Sequence, residues 1–262
     1  MKFKIDHDLH IHSQLSSCSG HPEQTADAML SYARLNGLRH ICITDHFWDE
    51  RVPGASDWYR PQNLSHISKA LPLPVAEDVT FHFGCEAEMD KFFRVGLAPE
   101  TMDKFDFIII PTNHLHMDGF TIEKDNVGVP ERAEYFMRRN HALLDMDLPF
   151  HKIGLAHFTN VCLYYDKNGT VYNVLDAISD SDYADFFSRA AALGIGIELN
   201  VTLEEAANPS AIRVYKIAKA CGCKFYLGSD AHTPSSLANA MPRFQAIVDA
   251  LDLTEDDKFA FA

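Results

Sequence analysis

The chain has 262 residues, 47% of them hydrophobic and 23% charged, enough to bury a sizeable core and ordinary for a globular protein. Its formal net charge of -14 argues against a general affinity for long nucleic acid or for an anionic membrane, although bound cations would still let a cleft accept a phosphorylated molecule. The start, "MKFKIDHDLHIH", lacks the apolar core of a signal peptide, and no apolar run nears the roughly 18 residues of a membrane span, so a cytoplasmic protein is expected. Six scattered cysteines (Cys18, Cys42, Cys85, Cys162, Cys221, Cys223) then read as small apolar residues of a reduced protein.

In chain order, strands are expected over 3–9, 38–44, 79–85, 105–111, 152–157, 194–200 and 224–228. Several, such as "FDFIIIP" and "GIGIELN", are nearly continuous apolar runs, as strands covered on both faces of a parallel sheet must be. Helical patterns lie between them. "PEQTADAMLSYARLNG" sets Ala26, Met29, Leu30 and Ala33 on one stripe between Pro22 and Gly37; "PERAEYFMRRNHALLDM", "DYADFFSRAAALG" and "PSAIRVYKIAKACG" behave alike. In "PSSLANAMPRFQAIVDAL", Pro242 should kink or start the last helix. Seven strand–helix units over residues 1–262, with no linker or composition shift, predict a single α/β domain. Irregular stretches are expected at 47–62, 112–129 and 158–178, each after a strand, where the functional loops of a barrel emerge.

The strand ends carry the chemistry. "DLHIH" ends the first strand with His10 and His12, two apart and so on one side of an extended chain. "ITDHF" brings Asp45 and His46, "FGCEAEM" Glu86 and Glu88, "IIIPTNHLH" His114 and His116. "GLAHF" brings His157, "IELN" Glu198 and Asn200, and "LGSDAH" Asp230 and His232. In a parallel barrel all of these converge on one face, and mixed imidazole and carboxylate donors suit Zn²⁺, Mn²⁺ or Fe²⁺. His7, by contrast, alternates with Leu9 and is expected to be a packed or surface residue rather than a ligand.

"DLHIHS", "ITDHF", "GCEAEM", "NHLH", "GLAHF" and "GSDAHTP" resemble, in order from residue 8 to 234, the motifs of the PHP family (polymerase and histidinol phosphatase). The resemblance implies a distorted (β/α)7 TIM-like barrel with a trinuclear metal centre. It implies the ligands His10, His12, His21, His46, Glu86, His114, His157, Asp230 and His232. Of these, His10, His12, Glu86 and Asp230 would hold one metal, Glu86 with His114 and His157 a second, and His21, His46 and His232 the third. His21 stands in "SCSGH", one residue longer than the text of the histidinol-phosphatase branch. Glu88, His116 and Asp45 are expected to orient ligands, and Glu198 and Asn200 to sit at the mouth or behind the ligands.

The activity implied is hydrolysis of a small phosphomonoester by a hydroxide shared between metals, with Asp230 or His232 protonating the leaving alkoxide. Arg51, Arg60, Arg94 and Lys91, in strand-end loops, are candidates to hold the phosphate. "CEAEMD" and "HMDGF" resemble the histidinol-phosphatase branch, while 112–129 departs from its text. A nucleotide or oligonucleotide phosphodiesterase, a phosphotyrosine phosphatase, an amide hydrolase and a non-catalytic metal-binding domain are the alternatives. An arginine pointing into the mouth would favour phosphate over amide. The oligomeric state is not set by the sequence.

Overall fold

The computed structural model describes residues 1–124, 127–166 and 168–261. The strands are β1 (His7–Ile11), β2 (His40–Ile43), β3 (His46–Phe47), β4 (Thr80–Ala87), β5 (Phe107–Ile110), β6 (Ile153–Leu155), β7 (Gly196–Leu199) and β8 (Lys224–Leu227). Seven run parallel in the order β1-β2-β4-β5-β6-β7-β8, and the two-residue β3 pairs with β4 beyond the end of β2. The ring nearly closes between β1 and β8. There the His12 N–H donates to the Ala231 carbonyl (3.1 Å), and the Asp230 N–H to that of His10 (2.8 Å). The architecture is the expected α/β TIM-like barrel of seven strands.

Two apolar layers hold it. Ile41, Ile43, Ile108, Ile110, Leu155, Ile197, Leu199, Phe225 and Leu227 pack outward against the helices. Leu9, Cys42, Phe107, Ile109, Ala156, Tyr226 and Phe259 form a separate plug. Strand side chains alternate between the two layers, which is why these strands are apolar throughout. Gly84 and Gly154 leave room for the plug: a Cβ at Gly154 would stand 2.5 Å from the Tyr226 ring.

Helices cover the outside: α1 (Ala26–Asn36), α2 (Leu64–Ile67), α3 (Pro99–Met102), α4 (Val129–Leu144), α5 (Thr170–Ala177), α6 (Asp180–Leu193), α7 (Pro209–Ala220), α8 (Pro234–Ala238) and α9 (Ala240–Ala250). Their ends follow local chemistry. The Thr25 side chain caps α1 by accepting from the Ala28 N–H, Ser179 caps α6, and α1 and α6 stop at the left-handed glycines Gly37 and Gly194. No helix among the described residues is long and apolar enough to cross a membrane.

Two expectations change and a third holds. α1 starts at Ala26 rather than just after Pro22, because Gln24 is spent on the barrel seam, where its amide donates to the His12 and Ala231 carbonyls (3.0 and 3.1 Å). The stretch 158–178 is not wholly irregular: Val171, Val174 and Leu175, at helical spacing, are buried in α5, which packs against α4 and α7. Pro242 starts the last helix as expected: the pattern breaks at Asn239, and Pro242 lies in the first turn of α9.

Candidate metal centre

Strand β1 delivers His10 and His12 to the open end of the barrel. Its register against β2 shifts between Asp8 and Ile11, so Leu9 stays in the plug while both imidazoles still reach the centre, their Nε2 atoms 3.1 Å apart. Opposite them, β4 carries Glu86, and the short β3 holds His46 directly beside it in register. The loops after β5, β6 and β8 add His114, His157, and Asp230 with His232.

Glu86 is the hub. Its Oε2 lies 2.9 Å from His46 Nδ1, 3.3 Å from His12 Nε2 and 3.6 Å from His10 Nε2, and its Oε1 lies 3.4 Å from His157 Nε2. Asp230 Oδ1 is 3.0 Å from His12 Nε2 and 3.4 Å from His10 Nε2. His157 and Asp230 hold positive φ angles (25° and 53°), a backbone cost that non-glycine residues bear chiefly where the surroundings fix a functional geometry.

Five of the six imidazoles, all but His46, are oriented through their other nitrogen. His10 Nδ1 meets Glu198 Oε1 at 2.6 Å, His12 Nδ1 meets Ser16 Oγ at 2.9 Å, and His114 Nδ1 meets Glu88 Oε2 at 2.7 Å. His157 Nδ1 meets Asn113 Oδ1 at 2.9 Å, and His232 Nδ1 meets the Asp230 carbonyl at 2.7 Å. Ser16 in turn donates to Asp45 (2.8 Å), which also accepts from the Ser13 hydroxyl (2.6 Å). With Nδ1–H donated outward, Nε2 of these rings is left as a lone-pair donor toward the centre.

Charge agrees with this assignment. Burial would raise the Glu86 carboxyl, but the nearby imidazoles, His46 foremost, hold it well below the ordinary range; Asp230 behaves alike, with His10 the main opponent of its burial. Burial, with His157 adding to it, holds His114 well below its usual value; burial and His12 bring His232 down to about 4. Burial opposes protonation of His12, but Asp230 and Glu86 outweigh it and raise it to about 9. Ionised carboxylates beside imidazoles that keep free lone pairs are the donor set a divalent cation requires.

The residues fit metal ions. Both Glu86 carboxylate oxygens and His46 Nδ1 are buried with no hydrogen bond of acceptable geometry, and such groups carry a desolvation cost unless something else meets them. Among the described residues three groups have ligand atoms mutually within 4.8 Å: His10, His12 and Glu86; Glu86, His114 and His157; and His12, Cys18, His46 and His232.

The structure therefore brings together His10, His12, His46, Glu86, His114, His157, Asp230 and His232. It does not bring His21 to them. That ring is half-buried, outside all three groups, and its Nδ1 accepts from the Glu23 N–H at 3.3 Å. Cys18, expected as a buried structural residue, instead lies exposed at the centre's edge. Glu88 and Asp45 orient ligands as expected. His116 does not: it is exposed at the mouth, its ring edge-on to His114. Glu198 is buried behind His10, one of the two places expected for it, and Asn200 accepts from Arg243 at 2.6 Å.

A cavity of about 530 Å³ opens over the cluster, walled by Trp58, Tyr59, Met117 and Phe120. Arg51, Arg60, Arg94 and Lys91 do not line it. Each is neutralised nearby: Arg51 by Asp49 (3.3 Å), Arg60 by Asp57 (2.8 Å), Arg94 by Asp90 (2.6 Å) and Lys91 by Glu123. Sequence reasoning also passed over Ser16, Asn113 and Arg139. Arg139 is fully buried on α4 and donates to the Met89, Asp90, Thr112 and Thr121 carbonyls, tying together the loops that carry Glu88 and His114. Long cations at Arg132 and Arg139 on the buried face of this helix were the available signal.

A sequence model of the PHP domain matches residues 8–202, the span of β1 through β7 and most of the centre. The chain belongs to the PHP domain family. Two curated relatives, both named probable phosphatase, come from Caldicellulosiruptor saccharolyticus (22% identical, covering 89% of this chain and 83% of the relative) and Caldicellulosiruptor bescii (23% identical, covering 87% and 80%). Among solved structures, this PHP barrel resembles histidinol phosphate phosphatase from Lactococcus lactis, which was solved with zinc, L-histidinol and phosphate. That likeness has a TM-score of 0.57 and 18% identity, and covers 94% of this chain and 93% of the other.

Proposed function

We propose that this PHP protein, a metal-dependent phosphoesterase by family, hydrolyses a small phosphomonoester with an uncharged aromatic or apolar leaving group at a three-metal centre. The observation that carries the proposal is the Glu86 hub: a buried carboxylate without hydrogen bonds, its two oxygens facing different sets of imidazoles. Metal ions there would act as Lewis acids on a phosphoryl oxygen and on the attacking water.

The chain's own groups do the rest. Glu86 is placed to bridge two positions. His10, His12 and Asp230 would hold one of these, and His114 and His157 the other. Asp230 and His232 stand at the cavity side of the cluster; both are held in their unprotonated forms, so either would first take a proton from the attacking water and then pass it to the departing oxygen. Trp58, Tyr59, Met117 and Phe120 exclude water and offer a leaving group a flat apolar face. Among the described residues lining the cavity, Glu86 and Asp230 are the only carboxylates and both belong to the cluster, so no separate anion awaits an ammonium. Among the described residues no arginine or lysine lines it either. That observation favours, as a second reading, attack on an amide.

The test is product release from a panel holding an aryl phosphate, histidinol phosphate, a nucleotide diester and an acyl amide, with Mn²⁺ or Zn²⁺ added. Aryl phosphate turnover should exceed that of histidinol phosphate. It should vanish in the His10→Ala, His12→Ala double variant and drop at least ~100-fold in Asp230→Asn. Turnover of the amide alone would replace the first reading with the second. Full activity in Asp230→Asn would remove that carboxylate from the mechanism.

A further inference from the structure

Resting on the reading of this cluster as a metal centre, we propose that Cys18, not His21, completes the third metal position, making it a thiolate site. The Cys18 sulfur and one ligand atom each of His12, His46 and His232 lie mutually within 4.8 Å, and His21 enters no such group. One member of this group is short of a partner. His46 is only 7% exposed, and its Nδ1 finds no hydrogen bond, although Glu86 Oε2 is 2.9 Å away.

The loop holds the sulfur there from both sides. The Ser17 N–H donates to Gln62 Oε1 (2.9 Å), and the Ser19 hydroxyl donates to the His232 carbonyl (2.6 Å). The Ser19 N–H and the Gly20 N–H both donate to the Ser16 carbonyl (3.0 and 3.2 Å), and the Ser16 hydroxyl is itself beneath His12. Cys18 is thus the middle residue of a turn tied at one flank to a candidate ligand's own backbone. Gly20, at φ 54°, then carries the chain away, and His21 turns to the Glu23 N–H.

Coordination forms a sulfur–metal bond and releases the thiol proton to solvent. A soft thiolate beside imidazoles favours Zn²⁺ or Co²⁺ over Mn²⁺ or Mg²⁺ at this position. It would therefore differ in metal preference from the two positions built on Glu86.

The experiment loads the whole protein with Co²⁺ and reads the near-ultraviolet spectrum and the bound metal after dialysis. The wild type should show a sulfur-to-cobalt charge-transfer band. Cys18→Ser should lose the band and one equivalent of cobalt. Cys18→His should regain the equivalent without the band. His21→Ala and Cys162→Ser (the other cysteine facing the cavity) should keep both. A wild-type band that survives in Cys18→Ser, cobalt bound without any band, or loss of an equivalent in His21→Ala alone would overturn the proposal. A protein that binds no cobalt overturns the metal-centre reading as well. The band with no hydrolysis of any ester leaves Cys18 as a ligand and removes the phosphatase reading instead.

Discussion

At the scale of single residues, the centre apart from His46 is built in pairs: a ring that faces inward and a group that fixes which nitrogen does so. Glu88 shows what such support costs. It is buried and accepts from His114 Nδ1–H, the Tyr59 hydroxyl (3.0 Å) and the Met89 N–H (2.8 Å); burial, partly offset by Arg139, pushes it up to about 7. Replacing it with glutamine keeps the shape and removes the charge that makes His114 a better donor. Glu88→Gln should weaken metal binding by ~10–100-fold, read by competition with a chelator, with little change in fold. Unchanged affinity would reduce Glu88 to packing. The two-residue spacing of Glu86 and Glu88 made both legible, since alternate residues of a strand share a side. Their division of labour was not, because it depends on which carboxylate meets an imidazole's Nδ1.

At the scale of elements, the strand ends are what hold the ligands at these distances. β8 stops at Leu227, and Gly228 follows it against β1. A Cβ there would overlap the Glu198 carboxylate and stand 2.7 Å from His10 Cβ. Gly228→Ala must therefore push His10 away from Glu198. Overpacking of this kind costs ~1–3 kcal/mol, so the melting temperature should fall and metal stoichiometry drop with it. An alanine variant with unaltered melting and metal content would show that the seam yields. The loop from Ser13 to Thr25 was the element least open to sequence reading. Its "SCSGH" text offers two metal-competent side chains, and spacing alone favours neither. Hydrogen bonds to Gln62 and His232, far off in sequence, determine which one faces the centre.

At the scale of the whole molecule, closure between the first and last strands depends on a histidine with no part in the chemistry. His7 is fully buried. Its Nε2 accepts from the Leu227 N–H at 3.0 Å, and its Nδ1 lies 3.0 Å from Asp6. Burial lowers its pKa, more than Asp6 raises it. The folded state thus prefers the neutral ring, so its contribution is present above the unfolded value near 6.5 and is lost as pH falls below it. Metal-free protein should lose stability between about pH 7 and pH 5, and His7→Gln, which cannot titrate, should show a slope shallower by up to ~1.4 kcal/mol per pH unit. Denaturant midpoints at a series of pH values give both slopes; identical slopes would place the sensitivity elsewhere.

The sequence by itself determined the order and parallel character of the barrel strands, because burial on both faces leaves only apolar side chains and the turns between elements are marked by proline and glycine. It also determined that histidines and carboxylates gather at the strand ends, since a repeated position in every strand–helix unit becomes one face of a ring. Only the tertiary structure decided which of them meet. It set Cys18 rather than His21 beside the cluster, placed Glu198 at the back of His10, one of the two places open to it, and left Arg51, Arg60 and Arg94 with carboxylates of their own loops. The reason is the same in each case. Hydrogen bonds and ion pairs of a few ångströms join residues far apart in the chain or hidden within an irregular loop, and no periodicity in the sequence encodes those distances.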